Sequence, residues 1–179
     1  DQVYKRVALK AVKLPSLRDY KLTWKTILRS SGIGSFIGIL PAEGGTVASL
    51  IGYSEAKRWS KKPEEFGKGS IEGIAGAEAA NNAATGGAMV PTLALGIPGS
   101  ATTAVILTGL IIHGVRPGPD LFREQPEFLY GIFGSMIIAN ILFFIFGFFG
   151  AKLFARITLV PNKILWPMIF AVSVCGTYS

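Results

Sequence analysis

The chain has 179 residues, of which half are apolar and only 16% are charged, and its mean hydropathy is +0.45. A soluble domain carries about 25% charged residues, so this composition argues against a solvated globular surface and favours a bilayer as the solvent. One cysteine, Cys175, and one histidine, His113, exclude a disulfide framework and a metal cluster built from several Cys and His ligands.

The net charge of +7 is carried entirely by residues 1–68, because Lys and Arg balance Asp and Glu over residues 69–179. A basic half is one sign of nucleic-acid binding. Lys and Arg that flank apolar segments are, however, typical of cytoplasmic loops. We therefore expect a lipid bilayer as the surrounding partner and no nucleic acid.

Residues 1–31 are a basic segment in which apolar residues recur at helical spacing, with Lys and Arg between them. Pro15 interrupts this pattern. Such a segment is typical of a helix that lies on the membrane surface. We expect residues 1–31 to be cytoplasmic or interfacial.

Residues 32–54 are two apolar arms separated by Pro-Ala-Glu-Gly-Gly at 41–45, and residues 55–70 are basic again. Both flanks should be cytoplasmic by the positive-inside rule. Each arm of about nine residues covers roughly 14 Å, which is half of a ~30 Å hydrocarbon core. The sequence predicts a re-entrant hairpin with its tip near the midplane, followed by a cytoplasmic loop at 55–70. One ordinary span with a proline kink is the alternative.

Residues 71–115 contain a long stretch without Lys, Arg, Asp or Glu, which begins at Ala79. Two prolines and two glycines between Pro91 and Gly99 predict an unwound middle, and Ser100 is a good N-cap for a helix that resumes at Ala101. The segment is about twice as long as one crossing needs. We expect it to be a single broken transmembrane helix.

The remaining segments follow from charge and hydropathy. Residues 116–127 are predicted to form a periplasmic loop, 128–151 a transmembrane helix, 152–163 a cytoplasmic loop, and 164–179 the start of a further span. The last segment is too short to cross, so we expect the chain to be a fragment of a longer protein. The predicted fold class is an all-α polytopic membrane protein that contains a re-entrant hairpin and a broken transmembrane helix.

Both predicted breaks lead into a helix N-terminus, where free N–H groups and a partial positive charge favour an anion. The adjacent asparagines 81 and 82 can hydrogen-bond a carboxylate or coordinate a cation, although interhelical bonding is an equally good reading. Discontinuous helices of this kind are a recurring design of secondary transporters. The candidate substrate-binding residues are Gly44, Gly45, Thr46, Asn81, Asn82, Gly99, Ser100 and Thr102.

Free carbonyls at the end of the first half-helix suit Na⁺, and Glu43 in the hairpin tip could carry a proton or a cation. The candidate ion-coupling residues are Glu43, Asn81, Leu95, Gly96, Ile97 and Pro98. We expect Na⁺ or H⁺ as the coupling ion, and neither another metal nor a cofactor. The sequence contains no phosphate loop and no nucleophile elbow, and His113 has no recognisable catalytic partner, so we expect no enzyme and no catalytic residues.

Several uncommon motifs occur in order along the chain: FGKGSIEG at 66–73, AEAANNA at 77–83, GGAMVPTLALGIPGS at 86–100 and HGVRPGP at 113–119. Over roughly residues 30–122 the chain resembles the large permease subunit, TctA, of tripartite tricarboxylate transporters. The family's Pro-Gly-x-Gly motif is Pro-Ala-Glu-Gly at 41–44 here. By motif, the resemblance implies that Gly44, Gly45, Asn81, Asn82, Gly96, Pro98, Gly99 and Ser100 contact substrate or ion.

The resemblance implies a multi-pass protein of the bacterial inner (cytoplasmic) membrane, built as an inverted-repeat secondary transporter of which this chain is a part. It implies import of tricarboxylates or other small organic carboxylates, driven by a cation gradient. The implied partners are a periplasmic solute-binding protein and a small membrane subunit. A passive channel or pore, and a non-transporting membrane scaffold, are the alternatives that the sequence leaves open.

Overall fold

The computed structural model describes residues 15–41, 44–157 and 160–177. Within these residues the regular structure is helical, and the longest helix has 32 residues. The helices are α1 (Leu17–Ile39), α2 (Gly44–Trp59), α3 (Ile71–Leu95), α4 (Ala101–Ile112), α5 (Pro119–Glu124), α6 (Pro126–Ile157) and α7 (Asn162–Thr177), with a short 3₁₀ turn at Pro63–Glu65.

The chain forms two compact units, of which the larger is Pro15–Phe133. In that unit α1 and α2 form a helical hairpin that packs on α3. The contact faces are stripes of small residues at helical spacing, a pattern that lets membrane helices approach closely. The stripe of α2 is Gly44, Ala48, Gly52 and Ala56, and α3 contributes Gly73, Gly76, Ala80, Ala84, Gly87 and Ala88.

The backbones of α1 and α3 are nearly in contact. A side chain at Gly34 would collide with the backbone of Ala80, and one at Gly38 would collide with the backbone of Ala84. These pairs advance together along both helices, so α1 runs parallel to α3. On α2, Gly45 lies beside Asn81, and the later residue Gly52 packs on the earlier residues Gly76 and Ala80 of α3. Because the contacts move backwards along α3 as α2 advances, α2 runs antiparallel to α3.

The predicted boundary between residues 1–31 and 32–54 is not a helix boundary, because within the described residues α1 runs without interruption from Leu17 to Ile39. No proline lies between these residues, and Ser16 caps the helix start through a capping box with Asp19. Likewise α2 continues to Trp59 across the predicted boundary at 54/55. The two arms therefore have 23 and 16 residues, or about 35 and 24 Å, instead of about nine residues each.

The irregular part of the third segment is shorter than the sequence predicts. Helix α3 continues through Pro91 to Leu95, and the irregular backbone is confined to 96–100. A proline removes only one backbone hydrogen bond, here the bond to the Gly87 carbonyl, and α3 continues on both sides of it. Helix α4 then begins at Ala101 after the Ser100 N-cap, as the sequence predicts.

After α4 the chain returns to the end of α3. The Gly118 N–H donates to the Leu93 carbonyl at 2.9 Å, and Val115 and Leu121 are buried. The segment 116–127, predicted as a loop, therefore contains the short helix α5 and an anchor on α3. The extra length of residues 71–115 is accounted for by α4 and its return, and α3 alone, at about 38 Å, is long enough to cross a bilayer.

The other unit contains most of α6 and all of α7. Within the described residues one helix is long and apolar enough to cross a membrane, namely Pro126–Ala151, with a mean hydropathy of 2.3. Its large side chains are exposed, for example Phe143 and Phe149 at 76% and 77%. An apolar surface of this kind needs lipid or protein to cover it, and this segment agrees with the predicted span at 128–151.

Candidate functional site

The start of α2 meets the middle of α3. A Cβ at Gly45 would lie 2.5 Å from Asn81 Oδ1, and a Cβ at Gly44 would lie 3.7 Å from the Gly99 carbonyl oxygen. Asn81 is ten residues along α3 from Ile71, which corresponds to about 15 Å. The structure thus brings four predicted site residues into two neighbouring pairs, Gly45 with Asn81 and Gly44 with Gly99. We call Gly44, Gly45, Asn81 and Gly99 the tip cluster.

A buried threonine holds the 96–100 break against α3. The Gly99 N–H donates to Thr92 Oγ1 at 3.3 Å, and the same hydroxyl donates to the Ala88 carbonyl at 2.6 Å. A Cβ at Gly99 would lie 2.8 Å from Ala88 Cα, so no side chain fits there. Gly96 ends α3 in the left-handed conformation, at φ +67°, which glycine adopts most readily. The break is therefore a packed turn.

The N-terminus of α4 is partly closed by its own side chains. Ser100 Oγ accepts from the Thr103 N–H at 3.2 Å, and the Ser100 N–H donates to Thr103 Oγ1 at 2.8 Å. With Gly99 bonded to Thr92, three of the expected donors already have partners. No described residue accepts a hydrogen bond from the N–H groups of Ala101 or Thr102. These two are the donors that α4 offers to a ligand.

The N-terminus of α2 lies beside the break that precedes α4. Its first two residues, Gly44 and Gly45, have no side chain, and no described residue accepts from their N–H groups. The start of α2 therefore lies against both the Asn81 amide and the break that leads into α4. Each of the two helix N-termini carries a partial positive charge. None of the four tip-cluster residues is ionisable. Backbone dipoles and one neutral amide can attract and orient an anion here.

Asn82 does not share the surroundings of Asn81. Its Nδ2 donates to the Glu78 carbonyl of the preceding turn at 3.0 Å. Consecutive residues on an α-helix point about 100° apart, so only one of the two asparagines can face the hairpin. Thr46 and Thr102 are exposed, and Glu43 lies outside the described residues.

The predicted ion-coupling residues do not lie in one place. Asn81 is fourteen residues before Leu95 on α3, which separates them by about 21 Å along the helix. No described donor reaches the carbonyls of Leu95, Gly96 or Ile97, while Pro98 is half-buried. Within the described part of the chain no group of three or more His, Cys, Asp or Glu could hold a metal ion.

Sequence reasoning did not single out Thr92, which is fully buried and positions the break. The available signal was a hydroxyl side chain seven residues before Gly99, in a helix end that otherwise contains apolar residues. Spacing alone could not show that this hydroxyl accepts from the Gly99 N–H, because that contact depends on how far the break folds back along α3.

Comparison with known proteins gives a family and two relatives. The sequence model of the tripartite tricarboxylate transporter TctA family matches residues 2–179. An uncharacterized 52.8 kDa protein in the TAR-I ttuC' 3'region of Agrobacterium vitis is 40% identical over 92% of this chain and 33% of its own length. An uncharacterized protein in the TAR-II ttuC' 3'region of the same organism is 42% identical over 82% of this chain and 60% of its own length.

The chain thus spans about a third of one curated relative and three fifths of the other. No solved structure matches it significantly.

Proposed function

This chain belongs to the tripartite tricarboxylate transporter TctA family, and on that premise we propose that it forms part of a permease that imports small organic carboxylates. The family supports a transport role in a membrane. We further propose the bacterial inner membrane as its location, with the basic segments on the cytoplasmic side. A periplasmic solute-binding protein and a small membrane subunit are the proposed partners.

The observation that supports this proposal is that the start of α2 lies against both the Asn81 amide and the break that precedes α4. A substrate carboxylate would accept from the N–H groups of Ala101 and Thr102 and from the Asn81 amide. A full positive charge at this depth would be costly and would hold a carboxylate tightly. Partial charges hold it loosely enough to be released, which import requires.

We propose that import is a symport with Na⁺ or H⁺. The carbonyls of Leu95, Gly96 and Ile97 are oxygen ligands of the kind that Na⁺ binds at broken helices. Because they lie about 21 Å from Asn81 along α3, coupling would act through the position of the break and not through direct contact between ion and substrate. Glu43, next to the start of α2, is the proposed carrier if the ion is H⁺.

The test compares Asn81→Ala with Asn82→Ala in the complete permease with its partners. The substrate is a radiolabelled carboxylate chosen by a thermal-shift screen of the solute-binding protein against organic acids. Loss of a hydrogen bond to a charged group costs about 1.5–3 kcal/mol, so Asn81→Ala should lower uptake about 10- to 100-fold. Asn82→Ala, whose amide bonds within its own helix, is the matched control and should stay close to the wild-type rate.

Equal uptake rates for both variants, at equal membrane abundance, would contradict the assignment of Asn81 to the substrate site. Counterflow measurements address the mechanism. Unlabelled substrate on the far side should accelerate exchange through a carrier, whereas a passive pore shows no such acceleration.

A further inference from the structure

A second anion-attracting feature lies at the opposite end of the larger unit. The N-terminal half of α1, the end of α2 and the connector to α3 enclose a groove of about 1020 Å³. We call it the basic groove. Its cationic side chains are Arg18, Lys21, Lys25, Arg29, Lys61 and Lys62. It is about 15 Å away from the tip cluster along α3, since Ile71 lines it.

The three acidic side chains of the groove are already engaged. Asp19 accepts from the Ser16 N–H at 2.7 Å, and this bond and that from the Ser16 hydroxyl lower the pKa of its carboxyl. Glu65 pairs with Lys62 at 2.8 Å and raises the pKa of that ammonium group.

Glu72, the third acid, accepts from the hydroxyls of Thr26 at 2.8 Å and Ser60 at 2.6 Å. The groove therefore holds an excess of positive charge that its own carboxylates do not neutralise.

Arg29 is the cation that most needs a partner. Its Nε is buried, and no described residue accepts a hydrogen bond from it. Its guanidinium stacks 5.3 Å from the centroid of the Trp59 ring, and Lys25 Nζ lies 5.6 Å from that of Trp24. Cation–π contacts orient the guanidinium. Because Arg29 lines the groove, its two terminal NH₂ groups, and not the buried Nε, would meet a ligand. A planar guanidinium held in this way is suited to a phosphate, which it can bind in a bidentate manner.

The rim of the groove is amphipathic. Trp24 and Trp59 are 54% and 63% exposed, and Leu22 and Ile71 expose more than half of their surface beside the cations. Tryptophan is enriched where a protein meets the headgroup region of a bilayer. A soluble anion would make no use of these apolar side chains, whereas a lipid presents a phosphate and apolar chains together. Basic pockets between helices at this level bind anionic headgroups.

We propose that the basic groove binds an anionic phospholipid, with Arg29 and Lys25 on the phosphate and Trp24 and Trp59 against the glycerol and the upper acyl chains. The lipid would bridge α1 and the end of α2 at the open base of the hairpin. This site is separate from the substrate site, and its occupancy does not depend on which carboxylate is transported.

The test uses the complete permease, purified and delipidated, and titrates it with phosphatidylglycerol or phosphatidylcholine of identical acyl chains in native mass spectrometry. The groove variant is Lys25→Gln with Arg29→Gln. The matched control is Lys57→Gln with Lys68→Gln, which removes two exposed cations from the same region that do not line the groove. Each cation near an anionic lipid surface tightens binding about fivefold. The groove variant loses two cations and should therefore bind phosphatidylglycerol about 30-fold more weakly. The control should bind it nearly as the wild type does.

Three outcomes would overturn the proposal. These are equal weakening in both variants, phosphatidylcholine binding as tight as phosphatidylglycerol binding, and displacement of the lipid by an equal concentration of glycerol phosphate. The last outcome would assign the groove to a soluble phosphate. Arg29→Lys keeps a cation over Trp59 and so separates the effect of charge from the effect of packing. This variant should bind phosphatidylglycerol more tightly than the double variant does. A loss as large as in the double variant would also contradict the proposal.

Discussion

The basic groove and the tip cluster are both proposed to bind anions, but they would do so with different groups. The groove presents six cationic side chains and one buried guanidinium nitrogen without a partner among the described residues. The tip cluster presents backbone N–H groups, one neutral amide and no ionisable side chain of its own. The two lie at different heights on the same helix, α3.

We attribute this difference to the position proposed for each site in a bilayer. A charged side chain at the centre of a membrane helix costs about 2.5–3.5 kcal/mol or more, while one at headgroup level stays hydrated. A binding site at depth therefore uses helix dipoles. The two chemistries also fit the proposed tasks, because a structural lipid is retained whereas a transported carboxylate must be released. Variants that affect both ends, or only one, separate these roles.

The largest effect is expected from Gly34→Ala, which should damage both sites at once. An ideal Cβ at Gly34 would lie 2.7 and 2.8 Å from Cα and C of Ala80, backbone atoms that cannot move aside without separating α1 from α3. Overpacking of this kind costs about 3 kcal/mol. The thermal midpoint of the purified permease should fall, and both uptake and phosphatidylglycerol binding should decline with it.

Gly32→Ala is the control on the same helix, because a Cβ at Gly32 meets no atom within 4 Å. Alanine favours helix over glycine by about 1 kcal/mol, so this variant should be as stable as the wild type or more stable. If the two substitutions change the thermal midpoint equally, the close approach of α1 to α3 is not what limits stability.

A smaller effect, confined to the tip cluster, is expected from Thr92→Val. The substitution keeps the shape of the side chain but leaves the buried Gly99 N–H without an acceptor, which costs about 1–3 kcal/mol. Carboxylate uptake should fall, whereas lipid binding at the basic groove should not change. Thr92→Ser retains the hydroxyl and should retain most of the uptake. Loss of lipid binding in Thr92→Val would show that the two ends are coupled.

How much of this fold the sequence predicts depends on the kind of signal. The positions of the two breaks were predictable, because Pro41 and the Gly-Ile-Pro-Gly run at 96–99 carry local backbone preferences. The start of α1 and the end of α2 were not predictable, because a change in polarity along the sequence does not by itself end a helix. Residues 17–31 are basic and 32–39 are apolar, yet nothing in the backbone chemistry stops a helix between them.

The candidate site likewise has a part that the sequence predicts and a part that it does not. Gly44, Gly45, Asn81 and Gly99 are among the predicted site residues, and each lies at or faces a helix end that the sequence marks. In the structure Gly45 lies beside Asn81 and Gly44 lies near Gly99. Sequence reasoning could not divide Asn81 from Asn82. Their surroundings differ through the rotation of α3 against the hairpin, which small residues on three helices fix jointly. Packing of this kind leaves no motif.

The smallest effect is expected at the other end of the unit, from Glu72→Gln. The carboxylate of Glu72 joins α1 to the connector after α2 by accepting from both Thr26 and Ser60. A glutamine keeps one acceptor oxygen, and its NH₂ group can only donate, so one of the two hydroxyls would have to accept instead of donate. Both bonds also lose the charge of the carboxylate, so the loss should be about 1 kcal/mol.

The thermal midpoint should fall slightly in Glu72→Gln and uptake per folded molecule should stay unchanged. Glu78→Gln on the same helix changes an exposed side chain and is the control. A loss of uptake in Glu72→Gln without a loss of stability would mean that this carboxylate takes part in transport, and the division between a charged surface end and an uncharged deep end would then fail.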